Sequence, residues 1–304
     1  MRQSVIPVLV VVAVLIVVWY VAAIWLNAPF QLDDYARHDV TQWSPTQFLG
    51  DVWSQKRPSL PAPHQVLAEF WKTTAETAVN SKRSLVYHGW VTLSATLLGF
   101  VIGTLLGIAL AVLIVHNDAS DRSLMPWIIA SQAIPILAIA PILVVVLYNV
   151  LTGDNLFAHV LNLDGNTAHL ISKALVSAYL SFFPVVVGMV KGFRSPEMIQ
   201  LDLMRTYNAS RPQAFWKLRF PIALPYLFTS MKVGVAAALV GAIVAELPTG
   251  AAAGIGARLL TGSYYGQTIQ IWAALLMGSI LAGALVALVG VTERLVVRRM
   301  GARP

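Results

Sequence analysis

Six runs of the chain, at 5–26, 89–115, 124–150, 174–190, 224–245 and 268–292, are long and apolar enough to fill the width of a bilayer, which takes about 20 residues of helix. Inside hydrocarbon an unpaired backbone amide has no water to turn to, so such runs must fold as helices. With 57% hydrophobic and 12% charged residues, the expected class is an all-α polytopic membrane protein with six transmembrane helices. The first run exceeds a signal-peptide core in length and no small-residue cleavage site follows it, so it reads as an uncleaved anchor. The expected division is an anchor helix with a long outer segment over 1–84, then a five-helix core over 85–304 with a loop at about 192–223.

Lys and Arg in short connections mark the cytoplasmic side. With the N-terminus inside, Arg2, Arg122, six residues of the loop 191–223 (Lys191, Arg194, Arg205, Arg211, Lys217, Arg219) and Arg294, Arg298, Arg299 and Arg303 of the tail are cytoplasmic. The short outer connections hold only Lys173 and Arg258, and the long outer segment 28–84 balances six basic residues with six acidic ones. Both termini are therefore expected in the cytoplasm. The formal charge of +7 follows from those inner loops, and nucleic acid is not an expected partner.

The most charged of the inner loops contains DLMRTYNASRPQAFWKLRFPIALP at 202–225. Ser195, Pro196 and Glu197 make a helix start: a capping hydroxyl, a proline with no amide to waste, and an acid at the positive end of the dipole. Asn208 tolerates the left-handed backbone that ends a helix. Ser210 and Gln213 have capping-box spacing, so a second helix should begin at Arg211. Pro221 and Pro225 are expected to stop that helix. It would carry Phe215 and Trp216 beside Arg211, Lys217 and Arg219. Two uses suit such a helix: lying on anionic membrane lipid, or docking another protein through its aromatic and arginine side chains.

This loop resembles the cytoplasmic signature of the inner-membrane permease subunits of bacterial ABC importers: EAA, three residues, G, nine residues, I, one residue, LP. Asp202 stands at the Glu position, Leu203 and Met204 at the Ala positions, Asn208 at Gly, Leu218 at Ile, Phe220 at Leu and Pro221 at Pro. LPAPHQV at 60–66, GFVIG at 99–103, IPILAIAPIL at 134–143, FFPVVVGMVKG at 182–192 and GAIVAELP with GIG at 241–256 are similar in kind and order to the nitrate, sulfonate and taurine group of these permeases. The resemblance implies a type I importer fold in the bacterial inner membrane, with the loop's second helix as a coupling helix seated on a cytoplasmic ATPase dimer. It also implies a second permease subunit, the same chain or a related one, and a periplasmic substrate-binding protein. The coupling residues it points to are Asp202, Arg205, Asn208, Ala209, Ser210, Arg211, Gln213, Phe215, Trp216, Lys217 and Pro221. No GxxxxGK[ST] phosphate loop occurs in the sequence, so ATP hydrolysis is expected on a separate subunit.

Pro135 and Pro141 fall inside the third run, where freed carbonyls can line a cavity. Glu246 is the one acid well inside a run, and buried intramembrane acids are candidates for function; Arg258 or a backbone amide is its expected structural partner. With Gly254 and Gly256 of GIG, these residues make a candidate translocation pathway or gate. Ala95, Gly99, Gly103, Gly107 and Ala111 form a small-residue stripe, either for packing within the chain or for a permease dimer. Lys232 interrupts the fifth run and should snorkel to the interface. Tyr264, Tyr265 and Trp272 suit either substrate contact or an interfacial aromatic belt. The six histidines have no zinc spacing and there is no cysteine, so no metal, cofactor or catalytic site is expected. A secondary transporter or channel is the alternative, for which more intramembrane ionisable residues would be expected. Family analogy offers nitrate, sulfonates, taurine, pyrimidine vitamin precursors or riboflavin, and the scarcity of cations in the runs favours a neutral organic solute.

Overall fold

The computed structural model describes residues 2–153, 156–247 and 253–300, and among these there is no strand. Pro248 of GAIVAELP and Arg303 of the basic tail lie outside the described residues. In chain order the helices are α1 (Arg2–Arg37), α2 (Pro45–Trp53), α3 (Pro63–Trp71), α4 (Leu85–His116), α5 (Asp118–Ser131), α6 (Ile136–Thr152), α7 (Leu156–Leu161), α8 (Gly165–Phe193), α9 (Met198–Thr206), α10 (Arg211–Ala214), α11 (Phe220–Glu246), α12 (Ile255–Tyr264) and α13 (Thr268–Arg299). Five stretches are long and apolar enough to cross a bilayer: α1, α4, α8, α13 and the continuous helix Arg211–Glu246. The bent pair α5 and α6 makes a sixth if counted as one span.

The third run is thus not one straight span. Asn117 caps α5 by accepting from Ala119 N at 2.9 Å, and the helix ends in tight turns, Gln132 N to Ile129 O and Ala133 N to Ala130 O. Pro135 offers no amide and disfavours a helical Ile134 before it. The chain restarts at Ile136 with its axis turned by 100°. Pro141 remains inside α6.

Two further boundaries move. Asp164 caps α8 by accepting from Asn166 N and Thr167 N, so the helix starts at Gly165 and Lys173, expected in an outer loop, lies two turns within it. The prolines after the basic loop do not end the loop's second helix. A π turn, Phe215–Arg219, closed by Phe220 N donating to Phe215 O, joins α10 to α11. Its wider bore relieves the clash of the Pro221 ring with the carbonyl four residues back. Pro221 therefore sits in the first turn of α11, Pro225 sits within it, and Arg211–Glu246 runs as one 36-residue helix.

The chain divides into two compact units, residues 1–88 with 258–277, and 89–257 with 278–304. In the first, the carboxamide of Asn27, 1% exposed, donates to Leu60 O at 2.8 Å and accepts from Ser59 N and Leu60 N. Gln55 Nε2 donates to Gln31 Oε1, and Trp19 Nε1 to Pro61 O. The turn 54–62 is thereby fixed by side chains that satisfy its backbone. Trp272 packs on Trp19 with ring centroids 4.9 Å apart, a packing role that substrate contact is not needed to explain.

In the second unit α8 lies between α4 and α11. Cβ atoms added at Gly99, Gly103 and Gly107 of α4 would stand 2.4 Å from Ala174 O, 2.0 Å from Ser181 Oγ and 2.8 Å from Val185. On the other side, Gly188 meets Ser230 and Gly241 meets the Ser177 backbone just as closely. Ser177 Oγ donates across to Ala238 O at 2.6 Å. The small-residue stripe is therefore spent on packing within the chain. Toward the loop end the seam widens into a cluster of Ile114, Phe182, Val185, Met189, Phe193 and Phe215.

Gly99→Val should cost roughly 2 kcal/mol or more by overpacking, because two of the contacts it would force are with α8 backbone and Cβ atoms. Gly283→Val, where nothing lies within 4 Å, is the matched control. Thermal unfolding in detergent should show a lowered midpoint for the first variant alone; equal midpoints would contradict the seam.

Candidate functional site

The basic loop is a built surface, fastened below and bare above. Glu197, two residues later than the sequence suggested, caps α9, and its amide donates to Gln200 Oε1 at 3.1 Å. Ser195 instead donates its hydroxyl to Gly192 O at the end of α8. Asn208 follows α9 with φ 51°. Asn208 N donates to Arg205 O at 2.8 Å and Ala209 N to Met204 O at 3.0 Å, the paired bonds of a Schellman closure. Ser210 then opens α10 with the expected box: its amide donates to Gln213 Oε1 at 2.9 Å and Gln213 N donates to its hydroxyl. Asp202 pairs with Arg205 at 2.9 Å, a solvent-facing pair that contributes little.

Phe215 and Trp216 divide the work expected of them. Phe215, 8% exposed, packs on Phe193 and on the His116 ring, while Trp216 is 63% exposed and leans on Phe220. Arg194 ties the loop's start to Asp121 of α5 at 2.8 Å. Nothing in α9 is buried, and Ile199, Leu203 and Tyr207 stand exposed with Trp216. A cleft of about 450 Å³ is lined by Leu201, Met204 and Phe215 together with Arg205, Arg211 and Arg219. Apolar side chains left bare on a segment this firmly capped suit a docking surface. Lys217 is exposed, and Pro221 belongs to the span rather than to the loop surface.

The second candidate centres on Glu246, the last residue of α11, with 0% exposure. Its carboxylate accepts from Thr92 Oγ1 of α4 at 3.1 and 2.9 Å and from Gly256 N at 3.0 Å. The cation beside it, at 3.6 Å, is Lys173 of α8, where the sequence offered Arg258. The expected amide partner is present. Gly254, at φ +131°, and Gly256 press on this carboxylate: a Cβ on the first would lie 2.2 Å from Glu246 Cδ, and on the second 2.7 Å from its Cβ. Ala140 and Val144 of α6 pack with Val176, Val244 and Ala245 close by in sequence, whereas Pro135 marks the bend. Lys232 does not snorkel freely but forms an ion pair with Glu293. Lys173 and Thr92 escaped sequence reasoning: the Asp164 cap was the sign that α8 begins early, and nothing local distinguishes Thr92 from other span threonines. Among the described residues no cluster of metal-ligating side chains occurs.

A family model described as "Binding-protein-dependent transport system inner membrane component" matches residues 103–302. The chain is 30% identical over 239 residues, 79% of its length and 80% of the relative's, to the riboflavin transport system permease protein of Chloroflexus aurantiacus. It is 30% identical over 188 residues, 62% of its length and 64% of the relative's, to the formylaminopyrimidine transport permease protein of Halalkalibacterium halodurans. Identity is 23% over 248 residues, 82% of its length and 80% of the relative's, to the putative aliphatic sulfonates transport permease protein of Bacillus subtilis.

Asn208→Val should strain the left-handed turn by about 1–2 kcal/mol or more, since a β-branched residue resists that backbone. Limited trypsin digestion in membranes should then cut faster at Arg205 and Lys217 with insertion unchanged, while Asn208→Gly should behave as the parent. Equal cutting of all three would contradict the role of the turn.

Proposed function

Because the chain belongs to the family of binding-protein-dependent transport system inner membrane components, we propose a specific way in which its basic loop and its buried carboxylate serve import. It is the multi-pass permease component of an ABC importer, a transport protein and not a catalytic enzyme, and it works with an ATPase and a substrate-binding protein. The proposed arrangement puts the anchor and outer segment over 1–84 and the permease core over 85–304, with both termini and the loop in the cytoplasm. The count of Lys and Arg in the short connections supports this orientation.

The ATP is hydrolysed on separate subunits, each of which receives one loop, so that two permeases serve an ATPase dimer. The observation that carries this reading is the loop's two-sidedness: Phe215 buried beneath, and Ile199, Leu203, Tyr207 and Trp216 bare above. The residues Asp202, Arg205, Asn208, Ala209, Ser210, Arg211, Gln213 and Lys217 shape and charge that surface, and Pro221 joins it to the span. A pathway bounded by α6, α8 and α11 would place Pro135 and Pro141 on one wall, and Glu246, Gly254 and Gly256 at one end.

The proposed cargo is a neutral organic heterocycle. Two of the more similar relatives are named for riboflavin and formylaminopyrimidine, and the two lysines well inside spans, Lys173 and Lys232, are each paired with a carboxylate. Neither is left to offer a strong anion a full charge. In a reconstituted importer, flavins or pyrimidines should compete for uptake where alkyl sulfonates do not; competition by sulfonates alone would overturn the assignment.

Trp216→Ala should cost roughly 2 kcal/mol or more of association with the ATPase, as removal of an exposed aromatic anchor does. Phe215→Ala should instead lower the permease's own stability by about 3 kcal/mol or more. Co-purification through a tag on this chain, together with thermal unfolding, separates the two effects. Native mass spectrometry of the parent should find two permeases with two ATPases; full ATPase recovery by Trp216→Ala, or one permease per ATPase pair, would contradict the reading.

A further inference from the structure

Four parts of the bundle meet on one carboxylate. Glu246 at the end of α11 takes Thr92 from α4, Lys173 from α8 and Gly256 N from the first turn of α12. Thr92 Oγ1 also accepts from Ile255 N at 2.8 Å, so the 253–257 segment is held twice. Gly254 and Gly256 leave only enough room for this carboxylate.

Cohesion alone does not call for an ion pair here. Apolar residues of similar volume hold helices together without the cost of stripping water from two charges, whereas removing one partner strands the other. What the pair adds is an all-or-none junction. The same carboxylate ends the unbroken helix Arg211–Glu246, whose other end is the docking loop. At 1.5 Å per residue that rod spans about 54 Å, so a displacement of α10 by a bound partner is delivered at Glu246.

We propose that Glu246 and Lys173 are positioning residues of the transport cycle: with Thr92 they latch the 253–257 segment to α4 and α8 in the conformation seen here, and the latch must part for the pathway to open at this end. The proposal rests on the permease reading above. Neither residue needs to touch the solute. The rod relays force from the ATPase side, and the latch converts it into a discrete opening.

The chain has no cysteine, so a Thr92→Cys/Ile255→Cys pair can be bridged selectively by a short bis-methanethiosulfonate, each thiolate displacing methanesulfinate to form a mixed disulfide that reductant cleaves. The complex with ATPase and binding protein is reconstituted in lipid nanodiscs for hydrolysis and in liposomes for uptake. Bridging should lower binding-protein-stimulated ATP hydrolysis and uptake at least about tenfold, and reductant should restore both, because a gating step then limits turnover. Uptake at the unbridged rate by protein shown by mass spectrometry to be fully bridged would overturn the latch. As a second arm, Lys173→Met/Glu246→Gln removes both charges together and should raise hydrolysis without binding protein about fivefold while the stimulation ratio collapses. A stably folded double variant with the parental ratio would mean that the pair is only structural, and if it does not fold, the bridging arm decides. Absence of any stimulation in the unmodified complex would count against the permease reading itself, not against the latch.

Discussion

Lipid is as apolar as a helix surface, so a bundle in a bilayer coheres only where backbones come close enough for dense packing. In this chain that closeness is concentrated on α8. Its neighbours give up side chains at Gly99, Gly103, Gly107 and Gly241, and α8 itself does so at Gly188 and Gly192. Two features of the second unit follow from it. The cluster under the loop exists because Phe182, Val185, Met189 and Phe193 line one seam, and Lys173 reaches Glu246 because the same seam brings α4, α8 and α11 together.

On this frame the basic loop and the buried carboxylate lie at opposite ends of one helix, Arg211–Glu246. Phe215 seats the loop on Phe193 and His116, and Arg194 ties its start to Asp121. The π turn keeps α10 in line with α11 instead of letting the prolines sever them. A helix continuous from the loop to its buried end is the link that the proposed relay uses. At the far end sits a dehydrated ion pair, Lys173 and Glu246, whose charges lost water on burial.

Much of this was legible in the sequence because the signals are local. Apolar length marks the spans, Ser210 and Gln213 mark a cap, and Asn208 marks a left-handed turn; each needs only its neighbours in sequence. What was missed depends on distant partners or on competing local rules. Pro135 stands at the break between α5 and α6 while Pro221 and Pro225 lie within a continuous helix, because a π turn absorbs Pro221. Lys173 looked like a loop cation until the Asp164 cap set where α8 begins. Thr92 is 154 residues from Glu246, a pairing that no periodicity reveals. The division between buried Phe215 and bare Trp216 follows from which face of the π turn meets the α4 and α8 ends, so the sequence could name the pair but not order it.

The most direct test of the account places a photoreactive benzophenone amino acid at position 216, and separately at position 215, in the reconstituted complex. Illumination should join position 216 to the ATPase subunit in high yield and position 215 only to this chain. Adducts of position 216 with lipid alone, or equal ATPase adducts from both positions, would contradict a loop whose inner aromatic anchors it and whose outer aromatic docks.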